Sequence, residues 1–503
     1  MKKTTAFLLA VAMLLSLCAC AEKNEASSTE PPTKAPIMEL PTDTIDILLS
    51  DDGVVCDSDA VYTANDIIYY EEGHDESYGE GEAADAHSPE EAAAHTVVHI
   101  TAPGAYRLSG TLSAGQIFVD LGEDAKNDPN ACVALILDNV DITCTVAPAV
   151  FFYRVYECAD DEAFVLQPDL SNAGAAVYLA DESTNTIRGA YVARIYKPGT
   201  TDKLHKYDAA FYSRQSMRIE GETGFLRIEA ANEGLDTELH LTINGGSIAI
   251  SSQDDGINTN EDGISVTTIN GGALWIQGGL GEEGDGIDSN GALVINGGNL
   301  YAMANEKTGD GGIDADLGIY LNGGTVVASG SRNDSPANLG KQQFMELSFA
   351  SDVEENSTVI LLSEDEEIMG FLAQRAFSSL ILSSPSLQTG IRYQLKINDT
   401  VQRYSGRNTG PRNFGGIEPP GGVMPGTKPP TEDIPTPPTI PMEPSGIEPP
   451  EGGDRQPPQG ENGQPPTPPD GQMPSMPETD GQGGTDFIID EENHGFSGIC
   501  DAN

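Results

Sequence analysis

A four-residue motif returns along the chain at a constant interval, and it restricts the possible folds more than anything else in the sequence. Ile243-Asn244-Gly245-Gly246 recurs as Ile269-Asn270-Gly271-Gly272, Ile295-Asn296-Gly297-Gly298 and Leu321-Asn322-Gly323-Gly324, each 26 residues after the last. Self-similarity at a few tens of residues marks stacked supersecondary units. Alignment at this interval creates apolar columns. Leu241, Thr267, Leu293 and Ile319 precede the turn; Ile248, Leu274, Leu300 and Val326 follow it, then Ile250, Ile276, Ala302 and Ala328. These alternate with the intervening residues, as one face of a strand does. Asn side chains in register would stand about 4.8 Å apart, the strand spacing, so each amide could donate to the next. The glycine pair lets the chain bend where a side chain would clash. The expected fold is all-β: a right-handed parallel β-helix of about 26 residues per coil, with a small C-terminal β cap and disordered flanks.

The flanks have their own composition. Lys2 and Lys3 followed by the apolar run Ala6–Leu17 read as an export signal, too short for a comfortable membrane span. The signal ends at Leu17-Cys18-Ala19-Cys20, which resembles a bacterial lipobox. With Ala19 before it, Cys20 is the expected lipidation site, and the anchored protein would face the cell exterior. Residues 21–95 are acidic and poor in large apolar groups and read as a disordered linker, with short strands expected near Ile45–Leu49 and Ile67–Tyr70. The expected boundaries continue as a β-helix over 96–342, a small β cap over 343–405 and a Pro/Gly-rich disordered tail over 406–503. Export permits disulfides, but Cys56, Cys132, Cys144, Cys158 and Cys500 are odd in number and match no metal framework.

Charge narrows the partners. The chain carries 26 Lys+Arg against 79 Asp+Glu, a net charge of -53. Such a surface gains no counterion release from phosphates, so nucleic acid and anionic lipid are excluded as partners. Divalent cations are attracted instead. The motif Glu233-Gly-Leu-Asp236-Thr-Glu238 aligns with Asp255-Gly-Ile-Asn258-Thr-Asn260, Asp285-Gly-Ile-Asp288-Ser-Asn290 and Gly311-Gly-Ile-Asp314-Ala-Asp316. The apolar residue points inward, and the polar ones form two outward rows. One is Asp236, Asn258, Asp288 and Asp314; the other is Glu238, Asn260, Asn290 and Asp316. Two carboxylates about 5 Å apart repel by about 3 kcal/mol at an effective dielectric near 20. A Ca²⁺ ion, which takes six to eight oxygens at about 2.4 Å, would turn that repulsion into coordination. The candidate ligands are Asp254, Asp255, Asn258, Asn260, Asp285, Asp288, Asn290, Asp310, Asp314 and Asp316. Asp-Gly and Asn-Gly are also plain turn formers, which is the alternative reading.

Trp275 and Tyr301 occupy matching outward positions one interval apart. They could make a flat platform for a sugar ring, or pack beneath the cap.

The segments Ile100–Leu112, Gly115–Asp120 and Leu135–Ile142, the Asp-Gly-Ile and Asn-Gly-Gly motifs, and Phe377–Pro385 together resemble a known family. It is the bacterial carbohydrate-binding family of cell-surface parallel β-helices, related in shape to pectate lyases, and the likeness spans roughly 96–400. The resemblance implies calcium sites and non-catalytic binding of a polysaccharide, either an acidic plant cell-wall glycan or cellulose; a monomer is expected. Gly311 departs from the motif, although Asp310 is adjacent, and Leu235 with Asp236 makes a weaker first repeat, so the number of calcium sites stays open. A polysaccharide lyase would need a base, and between Glu229 and Gly330 only His240 and Lys307 are basic. A glycoside hydrolase would need two carboxylates at a set separation, which Asp254, Asp255, Asp285 and Asp288 could supply. A surface adhesin or spacer is the third alternative.

Overall fold

The computed structural model describes residues 38–75, 77–197, 200, 206–336, 340–364, 366–406, 487–489 and 495–501. The export signal, Cys20 and most of the expected tail lie outside these residues, as does all of 411–480. Among the described residues no helix is long and apolar enough to cross a membrane. Cys56, Cys132, Cys144 and Cys158 carry free thiols.

The alternating apolar pattern produces strands, and the strands pair as the columns require. Leu241 pairs with Thr267, Thr267 with Leu293 and Leu293 with Ile319; Ile243, Ile269, Ile295 and Leu321 follow in the same register. After the turn, Ile248, Leu274, Leu300 and Val326 are likewise in line. All of these side chains are buried. Each large aliphatic side chain so enclosed contributes about 1.5–3 kcal/mol over its exposed state. The buried hydroxyls among them are matched, with Thr259 Oγ1 lying 3.2 Å from Thr267 Oγ1 and 2.9 Å from Ser289 Oγ.

The turn asparagines form a ladder. Asn270 donates to Asn244 Oδ1 at 2.8 Å, Asn296 to Asn270 Oδ1 at 2.8 Å and Asn322 to Asn296 Oδ1 at 2.9 Å. Its first member donates to Glu220 Oε1 at 2.8 Å, and that carboxylate is held by Arg218 in a buried pair. The second glycine of each turn takes a left-handed backbone, with φ +92° at Gly272. In the Asp-Gly-Ile motif the glycine serves close approach. A Cβ on Gly256 would stand 2.4 Å from the Gly286 carbonyl oxygen and 2.2 Å from Ile276 Cγ2.

The expected right-handed parallel β-helix with uniform coils, a separate cap and disordered flanks is corrected by the observed topology. Among the described residues, nineteen strands join one mostly parallel sheet, eight form a second sheet and five a third. The 26-residue step holds only over the motif region. Met217 pairs back to Ala175, and in the second sheet Leu235 pairs with Ile257 and Ile257 with Ile287. The last two of these steps are 22 and 30 residues, because the connections differ in length.

The expected cap is not a separate unit. Phe344–Val353 and Phe377–Ser383 enter the large sheet, the latter antiparallel to both Thr325–Gly330 and Phe344–Val353. Only Thr358–Ser363, Glu366–Leu372, Arg392–Ile397, Thr400–Val401 and Phe487–Ile488 form the small antiparallel sheet. The flanks also hold structure. Ile45–Leu49 is a strand paired to Tyr106–Gly110, whereas Ile67–Tyr70 forms no strand although Ile67 and Tyr70 are buried. Within the expected tail, Gly495–Asp501 runs parallel to Phe344–Val353. Backbone groups at an open sheet edge recruit any chain that can pair with them, and here both flanks do so.

Replacing Asn270 by Ala leaves the Asn296 donor and the Asn244 acceptor unmatched. The expected cost is about 1–3 kcal/mol, read as a lower urea midpoint with unchanged m-value.

Candidate functional site

The second sheet runs Val61–Ala64, Thr96–Ile100, Gly115–Asp120, Val150–Arg154, Ala209–Ser213, Glu233–Thr237, Ile257–Thr259 and Ile287–Ser289. At its C-terminal end the two acidic rows assemble as the motif alignment requires. Asp236 is in register with Asn258, and Asn258 with Asp288. Asp314 continues the row, its N–H donating to Ile287 O at 2.8 Å. In the other row the N–H groups of Glu238, Asn260, Asn290 and Asp316 donate to Ser213, Thr237, Thr259 and Ser289.

The acids are tied to the backbone of the next layer. Asp255 Oδ1 accepts from the N–H of Asp285 at 2.6 Å, Asp285 Oδ1 from that of Gly311 at 2.5 Å, and Asp310 Oδ2 from that of Gly284 at 2.9 Å. The Asn260 amide donates to both Asp236 oxygens, at 2.9 and 3.0 Å, and Asn290 donates to Asn260 O at 2.8 Å. The Asn258 amide donates to Glu233 Oε1 at 3.2 Å and to Asn260 Oδ1 at 3.1 Å.

Burial and mutual repulsion push these carboxyls toward the protonated form. Asp285 rises to about 8, through burial first and then the charges of Asp314, Asp288 and Asp310. Asp288 rises to about 7 through burial, Asp314 and Asp316. Asp314 also rises to about 7, through burial and its hydrogen bond with Asp334. Glu233, Asp236 and Asp255 are raised well above the usual carboxylate range, again by burial first and neighbouring acids second. Asp254 and Asp316 move the same way. Ten oxygen-bearing candidates thus share one face, and most are held where ionisation is unfavourable.

Two residues from outside the repeat alignment, Lys206 and Asp208, join this face beside Glu233 of the first motif copy. Glu233, Asp208 and Lys206 stand against Asp236, and Lys206 pairs with Asp208. The Asp208 carboxyl rises to about 6 through burial. Lys206 loses some basicity to burial, but the charges of Asp208, Glu233 and Asp236 outweigh this and hold it protonated. Glu233 opens the first motif copy in the sequence, whereas nothing in the chain order points to Lys206 or Asp208.

Among the described residues no group of three His, Cys, Asp or Glu side chains converges as a ready metal set. Two buried oxygens nonetheless lack any partner, Glu233 Oε2 and Asn258 Oδ1, and both belong to this face. The donors here are all carboxylate, amide and carbonyl oxygens. That is the chemistry of a hard cation such as Ca²⁺ rather than of zinc or copper.

Trp275 and Tyr301 are placed elsewhere, and the expected sugar platform is corrected. They are in register on the large sheet but only 5% and 4% exposed. Their rings meet edge to face at 4.4 Å, and Phe371 of the small antiparallel sheet packs 5.4 Å from Tyr301. The Tyr301 hydroxyl donates to Leu372 O at 3.3 Å. These rings bury the small sheet against the large one.

Comparison with known proteins follows the same region. A family model described as "Carbohydrate-binding domain-containing protein" matches residues 94–358. A carbohydrate-binding domain-containing protein of Acetivibrio thermocellus is 30% identical over 156 residues, which is 31% of this chain and 45% of the relative. The chain therefore spans under half the length of that curated relative. A solved structure titled as a polysaccharide lyase-like protein from C. thermocellum, a gadolinium derivative, is 22% identical with a TM-score of 0.38, covering 58% of this chain and 94% of that one.

The raised carboxyls fix the sign of the pH response. With folded pKa values above the unfolded ones, the folded state binds more protons between them, so stability falls as pH rises. Without divalent cations the melting temperature should be highest near pH 4–5 and fall as pH passes through about 7 to 8, where Asp288, Asp314 and Asp285 ionise. A melting temperature that rises across that range would contradict the placement of these acids.

Proposed function

The chain belongs to the carbohydrate-binding domain-containing protein family, and from that premise we infer that it holds a polysaccharide at the cell surface without cleaving it, with calcium bound on its acidic face. One observation carries this reading: a row of buried oxygen donors too crowded to ionise unaided, with two oxygens left unpartnered. Calcium would be held by oxygens drawn from Glu233, Asp236, Asp254, Asp255, Asn258, Asp285 and Asp288. When bound, it supplies positive charge that lets these acids ionise and gives the uronate or hydroxyl groups of a glycan a further coordination partner. The chain's own residues fix the rest. The backbone amides of Asp285 and Gly311 orient Asp255 and Asp285, and the Asn260 amide orients Asp236.

The non-catalytic reading rests on the bases. Elimination from a uronate needs an unprotonated base close to the substrate. Lys206, which stands beside the acids as do the guanidinium groups of Arg194 and Arg332, is kept protonated by these carboxyls. His240 is buried in the large sheet and Lys307 is exposed beside Glu306. The export signal and Cys20 supply the lipid anchor in this proposal, placing the protein on the outer face of the membrane.

Pull-down on insoluble polysaccharides tests the proposal. Retention should fall with chelator and return with calcium, and Asp288→Asn combined with Asp255→Asn should abolish the calcium response. Calcium at a hundred times its Kd should stabilise the protein by about 2.7 kcal/mol. Because binding needs ionised ligands, the stabilisation should be larger at pH 8 than at pH 5. Release of unsaturated product from polygalacturonate, seen as rising ultraviolet absorbance, would overturn the non-catalytic reading.

A further inference from the structure

The acidic row is one half of a longer line. Followed toward the N-terminus in strict register, Asp236 pairs with Tyr212, Tyr212 with Phe151, Phe151 with Phe118, Phe118 with His99 and His99 with Tyr62. The same outward line of the second sheet is therefore acidic at one end and aromatic at the other. Phe151 and Tyr212 are covered, partly by Tyr207. Beyond them the line opens into a cavity of about 300 Å³, lined by Tyr62, His99, Phe118 and Tyr153 with Asp66 and Asp120 among its polar groups.

This cavity is built rather than incidental. Tyr62 stacks on His99 with ring centroids 4.4 Å apart and planes 7° from parallel, and Phe118 stacks on Tyr153 at 5.2 Å and 28°. His99 meets Phe118 edge to face at 5.4 Å. His99 Nε2 lies 2.8 Å from Asp66 Oδ1, which fixes the imidazole. Arg154 clamps Asp120 through two hydrogen bonds of 2.5 and 2.6 Å. The Gln116 amide is spent on Pro148 O at 2.7 Å. Tyr62 itself is 50% exposed, which is unusual for an aromatic ring that packs on a neighbour.

We propose that this aromatic cavity is a saccharide subsite for an uncharged sugar ring, separate from the acidic face. The proposal rests on the carbohydrate-binding reading and names the class of sugar. Aromatic walls pack against the C–H faces of a pyranose, while polar groups at the rim accept from its hydroxyls. Asp66 and Asp120 present acceptor oxygens for this. The charged side chains that line the cavity are the acids Asp66 and Asp120, so a uronate carboxylate would meet carboxylate oxygens at the rim whereas a neutral sugar's hydroxyls can donate to them. The volume stands at the lower end of small-ligand sites, which suits one or two sugar residues of a longer chain.

The test is calorimetric titration of the full chain with cellohexaose and xylohexaose as uncharged probes and hexagalacturonate as the charged one. The wild type should bind at least one uncharged probe. Tyr62→Ala and Asp66→Ala should each weaken that binding by about tenfold, with Tyr62→Phe close to wild type. Both variants should keep the wild-type melting temperature and calcium response, which separates lost contact from lost fold. Affinity within about twofold of wild type in both alanine variants would overturn the subsite while leaving carbohydrate binding in place. Binding of hexagalacturonate alone would do the same. No binding of any glycan, soluble or insoluble, would overturn the broader reading along with it.

Discussion

Backbone pairing between parallel strands fixes like positions of successive layers about 4.8 Å apart, and almost every other property of this molecule follows from that constraint. The spacing is indifferent to what it aligns. Where it aligns amides, as at Asn244, Asn270, Asn296 and Asn322, each donor finds an acceptor and the alignment adds stability. Where it aligns carboxyls, as around Asp255, Asp285, Asp288 and Asp314, the same geometry concentrates repulsion. Where it aligns aromatic rings, as from His99 to Phe118, it builds a wall.

Repulsion in the acidic rows is tolerated because three effects soften it. Backbone amides of the adjacent layer donate to the carboxylates, asparagine stands in place of an acid at 258, 260 and 290, and the remaining acids hold protons into the neutral range. In the proposed reading such a site exchanges its protons for a hard cation. Its neighbouring ammonium group, Lys206, is held in the charged state by the same carboxyls. Chemistry therefore separates along one sheet, with cation-seeking oxygens at one end and ring-stacking surfaces at the other.

The parts visible in the sequence are those that share a constant interval or a repeated motif. The inward columns align by counting, whereas the row Asp236, Asn258, Asp288 and Asp314, whose connections differ in length, aligns through its repeated motif. The aromatic line has neither. His99, Phe118, Phe151 and Tyr212 are separated by 19, 33 and 61 residues, and no period links them. Lys206 and Asp208 reach the acidic face from a segment with no motif. Trp275 and Tyr301 face outward from the large sheet, but outward on a strand does not distinguish solvent from another layer, and here the small antiparallel sheet lies over them. Uniform stacking was over-extended for a related reason. The interval is a property of the turns between 241 and 328, and the chain reverses direction beyond Gly330.

Gly495–Asp501 pairs with a strand that precedes it by about 150 residues and lies beside Arg403–Gly406, which it meets antiparallel. Closing so long a span carries an entropy cost that grows only logarithmically with its length, so the contact is thermodynamically accessible. Its kinetics are different. As the polypeptide emerges in order, Phe344–Val353 must wait with one margin uncovered until the distant segment arrives. During that interval the growing protein is exposed to pairing with a second molecule, and the rate of synthesis and local concentration decide which partner wins.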